Sequence, residues 1–588
     1  MGNKREPTTS KGMLKGIIIG FLVASILFSM TSAYSAALER TIKVLFSNIK
    51  VCVDGEYIDL KDASGKKVEP FIYNGTTYLP ARAIAEALGK SVEWSDKDNT
   101  VFIGYNSDEP VVEATEEPIV PGRENTYDAN QITWYYIGTG DQRDAAEVEN
   151  AVNEYIKDKI GARIKLKCFE WGVYDTKLRV LQAAGEPFDI CFTSGWTNNY
   201  YQGVSRGAFV DLTDLMDKYA PKTKEQLGKN ILKGASIKGR LYAIPANSYT
   251  AHNWVLLLRQ DLIDKYKLNT GSIKKFEDIE PMLKIIKENE PDVYPLEATR
   301  WESPYRMLGF EKIFEEDIPG AIYPDFRGSK VFNDYETPEA KTFFNKMRRY
   351  YQAGYIRKDA ATVDDVFEDR RNGKVFAITA TGRPDKADEL YQMTGQKWVQ
   401  VDLSSPVMTS NEVTGSMQAI STTSGNPERA LRFLELFNTD KYLNNLINFG
   451  IEGKHYTKKS ENAIELIPGK DNGTSSGYSP GTGWMFGNQF LNYLFPQDNP
   501  MKWDKIKAFN TAAQPSPLLG FKFNPEPVKV EIAALKNILN EDLPVLYTGS
   551  ADPDQILGRM SKNMKDAGVD KVLAEMQKQV DEFLAFYR

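Results

Sequence analysis

Aromatic side chains that directly follow predicted strands are the residues of this sequence best suited to hold a ligand. Trp196 follows the apolar run FDICFTS, Trp301 follows VYPLEATR, and Trp484 lies in the glycine-rich stretch GTGWMFG. A flat ring offers an apolar face to the C–H face of a sugar, while neighbouring donors and acceptors pair with its hydroxyl groups. These three tryptophans therefore predict a binding site. Packing of each ring inside its own domain is the alternative.

Two more side chains are candidates for the same site. Tyr249 lies in a polar loop between two apolar runs. Arg383 follows the run KVFAITATG and is suited to donate a two-pronged hydrogen bond to a hydroxyl pair or a carboxylate; a surface salt bridge is the alternative. Other tryptophans lie in or beside predicted strands, and we expect them in the core: Trp134, Trp171 and Trp254.

The motifs of common enzymes are missing from the sequence. It contains no G-x-S-x-G elbow, P-loop, H-E-x-x-H or complete dinucleotide fingerprint, and it has only two histidines. Its three cysteines match no metal spacing, so we expect neither a metal nor a cofactor. Cys168 and Cys191 are predicted to be buried free thiols, with one disulfide as the alternative. Because the chain has 80 acidic residues, a carboxylate pair that hydrolyses glycosides stays open.

The composition is that of a folded protein with several domains. The chain has 588 residues, of which 41% are hydrophobic, 26% charged and 12% aromatic. The net charge of −7 argues against nucleic acid as the main partner.

The N-terminus has the pattern of a secretory signal peptide over residues 1–36. Basic residues precede an uncharged apolar stretch at 16–30, and small residues follow it. An uncleaved membrane anchor is the alternative. No cysteine stands directly after the apolar stretch, where a bacterial lipoprotein has its lipid acceptor.

A small α+β unit is predicted over residues 40–105. Asn74 and Gly75 separate two strand-like runs, which is a strong hairpin signal; a short helix and a second hairpin follow. The stretches EPFIYNGTTYLPARAIAEALGK and TVFIGY resemble the copper amine oxidase N-terminal-like domain, or stalk domain, of secreted bacterial proteins. The resemblance implies a spacer or surface-attachment module. The unit has no histidine, so we expect no copper site.

An acidic linker is predicted over residues 106–130. It contains three prolines, which stiffen it, and seven acidic residues against one basic residue, Arg123. We assign it no binding role.

An α/β domain begins at residue 131. Two predicted helices alternate with three predicted strands, QITWYYIG, ARIKLKCFEW and FDICFTS, which indicates a parallel sheet. Ligands of such sheets bind beyond the carboxyl ends of the strands, here 138–141 and 193–199.

The stretch 239–262 predicts a passage from one lobe to another. An apolar run ends at Pro245, a polar loop follows, and a second run leads into a helix with Asp261 as its predicted cap. KGRLYAIP and VLLLRQDLIDKYKL, together with GEPFDICFTSGW, GAFVDLTDLMDKYAP, NGKVFAITATGRP and MQAISTTSGNPERALRFLELF, resemble extracellular solute-binding proteins of ABC importers. GIEGKHY and GWMFGNQFLNYL are similar to the lipoprotein-like branch with a C-terminal domain of unassigned function.

The resemblance implies a two-lobed, type II periplasmic-binding-protein-like fold over residues 131–588. Lobe 1 is expected at 131–245 and 413–470, lobe 2 at 250–412, and a C-terminal part at 471–588. In the tail, an apolar stripe from Val569 to Leu584 is expected to pack against the domain.

The expected function is that of a secreted or surface-held solute-binding component that delivers a carbohydrate, favoured as an oligosaccharide, to an ABC permease. The stalk domain adds an expected contact with the cell wall or surface. A peptide ligand is the runner-up. A glycan-acting enzyme and a purely structural surface protein are the remaining alternatives.

Overall fold

The computed structural model describes residues 46–103 with gaps, 130–323, 328–467 and 477–587. The chain divides into two compact units, 1–124 and 125–588. The predicted signal peptide and nearly all of the predicted linker lie outside the described residues. Within the described residues, no helix is both long enough and apolar enough to cross a membrane.

The described residues of the first unit form three short hairpins and one helix. Its strands pair as β1 (Cys52–Val53) with β2 (Glu56–Tyr57), β3 (Phe71–Tyr73) with β4 (Thr76–Tyr78), and β5 (Val92–Ser95) with β6 (Thr100–Ile103), and its helix is α1 (Ala81–Ala87). The hairpin predicted at Asn74 and Gly75 is therefore confirmed. Phe71 and Tyr78 stack across it with ring centroids 5.2 Å apart.

The second unit contains fifteen strands and seventeen α-helices among its described residues. The strands are β7 (Gln131–Gly138), β8 (Arg163–Glu170), β9 (Ile190–Thr193), β10 (Ala243–Pro245), β11 (Asn253–Arg259), β12 (Tyr294–Leu296), β13 (Glu311–Lys312), β14 (Ala321–Ile322), β15 (Val375–Gly382), β16 (Trp398–Asp402), β17 (Val407–Met408), β18 (Met417–Ile420), β19 (Tyr456–Lys458), β20 (Ile464–Leu466) and β21 (Gln514–Pro515). The helices are α2 (Ala145–Ile160), α3 (Tyr174–Ala183), α4 (Tyr200–Ser205), α5 (Leu215–Tyr219), α6 (Pro221–Ala235), α7 (Gln260–Tyr266), α8 (Glu280–Asn289), α9 (Pro338–Gln352), α10 (Phe367–Arg371), α11 (Lys386–Thr394), α12 (Ser410–Val413), α13 (Pro427–Thr439), α14 (Lys441–Phe449), α15 (Lys502–Ala512), α16 (Lys529–Thr548), α17 (Pro553–Asp566) and α18 (Val569–Phe586).

Lobe 1 is built on a five-stranded sheet in the order β10-β18-β9-β7-β8. The first three strands along the chain are parallel, as predicted, whereas β18 runs antiparallel between β9 and β10. The core centres on Trp134, which is fully buried against Phe433, Phe437 and Phe486. Its indole Nε1 donates to the side chain of Gln418 on β18 at 2.9 Å.

Lobe 2 is built on a four-stranded sheet in the order β12-β15-β11-β16. Side chains of β11 alternate between two cores, because successive strand residues point to opposite faces. Leu256 and Leu258 pack with α8 and α9, and Val255 and Leu257 pack with α11 and Trp398.

The C-terminal helices are part of lobe 2. The predicted stripe is confirmed: Val569, Val572, Met576 and Val580 are buried in the same core as Leu256, and Leu573, Phe583 and Leu584 pack against it. The interval 471–588, expected to be one part, is thus divided. Met485 and Phe486 belong to the core of lobe 1, and the residues from Val528 onward belong to lobe 2.

Three crossing segments join the lobes: the first crossing (246–252), the second (403–416) and the third (496–516). They are hydrogen-bonded to one another. His252 and Val407 exchange two backbone hydrogen bonds at 2.9 and 2.8 Å, and β17 pairs in parallel with β21. Asn510 binds the backbone of Ser248 and Thr250. The two lobes are therefore connected by three segments that are hydrogen-bonded into one bundle.

The helix after the first crossing begins two residues earlier than expected. Helix α7 starts at Gln260 with Arg259 at the cap position, and Asp261 lies in its first turn. The prediction of Asp261 as the cap is wrong, because its carboxylate instead binds the guanidinium of Arg259 at 2.7 and 2.5 Å.

Replacing Met576 by alanine tests whether α18 is integral to lobe 2. The side chain is fully buried, so its truncation is expected to lower the free energy of unfolding by about 2–5 kcal/mol. Urea unfolding of the purified protein measures the change. Lys578→Ala on the exposed side of the same helix is the control, and a similarly small effect for both variants would contradict this packing.

Candidate functional site

Three exposed tryptophans lie together at the carboxyl-terminal edge of the lobe 1 sheet. The side chains of Trp171, Trp196 and Trp484 are 50%, 53% and 39% exposed. Their ring centroids are separated by 6.1 Å (Trp171–Trp196), 5.7 Å (Trp171–Trp484) and 6.2 Å (Trp196–Trp484). The ring plane of Trp171 is inclined by no more than 19° to the ring planes of Trp196 and Trp484. These three rings form a continuous apolar surface, the tryptophan platform.

The sheet itself positions the platform. Trp171 directly follows β8, and Trp196 lies three residues beyond β9. Beneath them the buried ring of Phe192 on β9 contacts Trp196 and Trp484 at centroid distances of 5.8 and 6.1 Å. The rings therefore rest on the core on one side and face solvent on the other.

The loop that carries Trp484 covers the end of β7. Thr139 donates to the carbonyl of Ser479 at 3.2 Å. A Cβ on Gly138 would lie 2.8 Å from the carbonyl oxygen of Pro480, so only glycine allows this approach. The predicted ligand-binding strand end at 138–141 is thus covered by the loop that carries Trp484. This packing places Trp484 beside the ends of β8 and β9.

The prediction that Trp171 belongs to the core is wrong. Strand β8 is at the edge of the sheet, and no strand of the described part of the chain lies beyond it to cover a residue at its end. Trp134 is in the core as predicted. Trp254 is half-buried and contacts the ring of His252 at a centroid distance of 5.1 Å.

Trp301 lies in lobe 2, five residues after β12, and is 50% exposed. Its indole Nε1 donates to Asp364 at 3.0 Å, and the guanidinium of Arg300 lies 4.5 Å from the ring centroid. Among the described residues, no ring contact joins Trp301 to the platform. It is a separate aromatic surface on the other lobe.

Tyr249 and Arg383 contact each other and lie outside the platform. The Arg383 guanidinium is 4.3 Å from the ring centroid of Tyr249, donates to Asp385 at 2.8 Å and also binds Glu389. Lys502 of the third crossing adds an ion pair with Asp385 at 3.4 Å. This group surrounds a small cavity of about 80 Å³. The five residues predicted from sequence to form one site therefore lie in three places: Trp196 and Trp484 in the platform, Trp301 on lobe 2, and Tyr249 with Arg383 around the small cavity.

A larger cavity of about 510 Å³ lies where the crossings meet lobe 2. Its wall includes residues of all three crossings and an arm of lobe 2 between Tyr305 and Glu316; we call it the crossing cavity. Its polar groups include His252, Glu311, Glu412 and Gln514, and its aromatic groups include Trp254 and Phe310. Sequence reasoning missed it, because these residues are remote along the chain.

Two ionisable groups in this cavity come from different crossings. The Nδ1 atom of His252 lies 2.8 Å from Oε1 of Glu412. Burial acts to lower the pKa of His252, but the neighbouring carboxylate outweighs it, so the pKa lies above its usual value. Burial acts to raise the pKa of Glu412, which the contacts with His252 and Thr409 outweigh, so its pKa is lowered. The pair is therefore favoured as an ion pair.

Glu311 is a third ionisable group in the wall. Both of its carboxylate oxygens lie 2.7 Å from the Ser516 hydroxyl. Burial raises the pKa of Glu311 to about 7, and the nearby charge of Glu412 adds to the effect. Among the described residues, no group of histidine, cysteine and acidic side chains is arranged to hold a metal ion.

Two lobes, three crossings and an open aromatic surface beside the strand ends define a two-lobed ligand-binding protein. Residues 150–451 match the bacterial extracellular solute-binding protein family, 52–129 match the copper amine oxidase N-terminal domain, and 517–585 match a domain of unknown function. The chain belongs to the bacterial extracellular solute-binding protein family, and the predicted two-lobed α/β fold is confirmed.

Relatives in Streptococcus pneumoniae extend this assignment. A carbohydrate ABC transporter substrate-binding protein is 31% identical over 457 residues, which are 77% of this chain and 91% of that protein. The crystal structure of an N-glycan transport solute-binding protein, NgtS, is 30% identical and covers 78% of this chain and 100% of its own, with a TM-score of 0.69. Its complex with Man5GlcNAc, at 30% identity over 77% of this chain and 98% of its own, has a TM-score of 0.56.

The raised pKa of Glu311 predicts a pH-dependent effect of Glu311→Gln. The folded protein holds the proton up to about pH 7, whereas the unfolded chain releases it near 4.5. Wild-type stability should therefore fall relative to the variant as the pH rises from about 4.5 to 7, by roughly 3 kcal/mol in total.

Chemical denaturation at pH 4, 6 and 8 measures this difference. The exposed Glu339→Gln is the control and should show no such trend. A difference between wild type and Glu311→Gln that is the same at all three pH values would contradict the prediction.

Proposed function

We propose that this chain captures an oligosaccharide between its two lobes and delivers it to the permease of an ABC transporter. The observation that carries this proposal is the tryptophan platform. A pyranose ring presents C–H groups whose positive partial charges are attracted to the negative face of an aromatic ring. Three rings held side by side, each half-exposed, are suited to that contact.

The extent of the platform favours an oligosaccharide over a single sugar. The centroids lie between 5.7 and 6.2 Å apart, so the surface is wider than one indole and can stack more than one sugar ring. The relatives support the same ligand class, since one is a carbohydrate ABC transporter substrate-binding protein and another was crystallised with Man5GlcNAc. A peptide ligand is not favoured.

Closure of the lobes is the second part of the proposal. A ligand that contacts both lobes stabilises the closed state, because only there are all contacts made. Trp301 on lobe 2 is a suitable second contact, with its ring oriented by Asp364 and Arg300. NgtS is similar to this chain with TM-scores of 0.69 in one structure and 0.56 in its glycan complex, which supports a fold whose lobes take more than one arrangement.

The remaining parts of the proposal concern chemistry and location. We infer that the chain acts by binding alone, outside the cell or at its surface, with the first unit serving as a spacer or surface contact. Ligand contact by Tyr249 and Arg383 remains a prediction. The enzyme alternative is tested by incubating the protein with oligosaccharides and analysing the products, where any turnover would contradict a purely binding role.

A thermal-shift panel of oligosaccharides, monosaccharides and short peptides tests the ligand class. A ligand at 100 times its dissociation constant should stabilise the protein by about 2.7 kcal/mol. Stabilisation by glycans such as Man5GlcNAc and not by peptides is expected. Stabilisation by peptides alone would overturn the carbohydrate assignment and leave the fold unaffected.

Truncation of the platform tests the site. Trp171→Ala, Trp196→Ala and Trp484→Ala should each weaken Man5GlcNAc binding in titration calorimetry by about tenfold or more, that is at least about 1.4 kcal/mol. Tyr442→Ala removes an equally exposed ring from α14 and should leave the affinity unchanged. Any platform residue whose loss leaves binding intact is removed from the site.

A further inference from the structure

The platform works as one surface only if three separate loops hold their rings at fixed positions. Trp171 is carried by the turn between β8 and α3, Trp196 by the loop between β9 and α4, and Trp484 by the loop over β7. None of these loops is adjacent to another along the chain. Their alignment therefore depends on contacts that run from loop to loop.

One such contact joins the loops of Trp196 and Trp484 through the second crossing. The carbonyl of Gly415 accepts from the Trp196 Nε1 at 2.9 Å, and the carbonyl of Thr414 accepts from the backbone N–H of Gly195 at 3.1 Å. The Ser416 hydroxyl donates to the carbonyl of Met485, next to Trp484, at 2.8 Å. This segment anchors both loops.

A second contact joins the loops of Trp171 and Trp196 through the carboxylate of Asp175. Asp175 lies in the first turn of α3, four residues after Trp171. Its Oδ1 atom accepts from the Thr197 hydroxyl at 2.7 Å and from the backbone N–H of Asn198 at 2.5 Å. The two donors belong to the first and second residues after Trp196.

The loop that Asp175 binds includes a residue with positive φ. Asn198 has φ of 39°, in the left-handed region that most residues with a side chain rarely adopt and that asparagine adopts more often. Asn198 also donates to the carbonyl of Phe192 at 2.8 Å, which turns the loop back over β9. Without the carboxylate, the Thr197 hydroxyl and the backbone N–H of Asn198 lose their shared acceptor, and the loop can relax toward ordinary conformations, which would displace Trp196.

We propose that Asp175 is a positioning residue for glycan binding, which sets Trp196 parallel to Trp171 through its bonds to Thr197 and Asn198. The inference rests on the proposed function, since it concerns how the platform binds. Its physical basis is preorganisation: rings already aligned need not be ordered when the ligand arrives. Asp175 makes no ring contact itself, and its other partner is the exposed Arg179 at 3.4 Å.

Three variants of the full chain test this role, with Man5GlcNAc as the probe in titration calorimetry. Asp175→Ala removes the oxygen that accepts both hydrogen bonds and should weaken binding by about tenfold, through loss of preorganisation. Asp175→Asn keeps a carbonyl oxygen that can accept both bonds, so its affinity should stay within about threefold of wild type. Arg179→Ala removes the ion pair and a hydrogen bond to the Asp175 carbonyl, keeps Oδ1 of Asp175, and should leave binding unchanged.

The outcomes separate this inference from the proposed function. If the wild-type protein does not bind the glycan, the proposed function fails, and this inference fails with it. If the wild type binds and Asp175→Ala binds equally well, only the positioning role is overturned. If Asp175→Asn loses as much affinity as Asp175→Ala, the charge itself is needed, which would contradict positioning through hydrogen bonds. Thermal unfolding of each variant verifies that it is folded.

Discussion

The hydrogen bonds among the three crossings are the constraint on which the rest of the structure depends. His252 is paired with Val407, β17 with β21, and Asn510 with the first crossing, so no crossing can move without the others. Neighbouring residues extend this bundle into both lobes: Leu518 is buried in the core of lobe 2 and Leu519 in that of lobe 1. Such a bundle restricts relative motion to a small set of rotations. The polar groups of the crossing cavity, including the His252–Glu412 pair, lie on the crossings themselves, so such a rotation would change the distances between them.

The tryptophan platform is the main exception to the rule that large apolar side chains are buried. Three indoles left about half-exposed forgo part of the free energy that full burial would give, which is of the order of 1.5–3 kcal/mol for a large apolar side chain. The loops nevertheless hold them outward, through the Gly415 carbonyl, the Asp175 carboxylate and the packing of Phe192 beneath. An exposed apolar patch maintained by specific hydrogen bonds is the mark of a binding surface.

Local signals in the sequence predicted much of this architecture. The alternation of strands and helices after residue 131, the break at Pro245 and the apolar stripe of the tail all reappear in the structure, because each depends on neighbours along the chain. Trp196 and Trp484 are predicted as ligand contacts from their place in loops, and both lie in the platform. Trp171 is predicted in the core, although it directly follows a parallel strand, a position that the rule for ligand sites at strand ends already covers. The crossing cavity and the division of residues 471–588 between the lobes depend on contacts between distant segments, which no local pattern reveals. Tyr249 and Arg383 show the converse: both have suitable chemistry, yet they bind each other and not the platform.

The position of β18 determines when this protein can fold. In the lobe 1 sheet it lies between β9 and β10, although it is synthesised more than 170 residues after the end of either of them. Until β18 emerges from the ribosome, β9 and β10 have no strand to join them, and the Trp134 side chain lacks its partner Gln418. The core of lobe 2 is completed later still, since it includes Val580 near the end of the chain. Folding is therefore governed by long-range pairing, which is slow, and the nascent chain remains without a finished lobe until nearly all of it has been made.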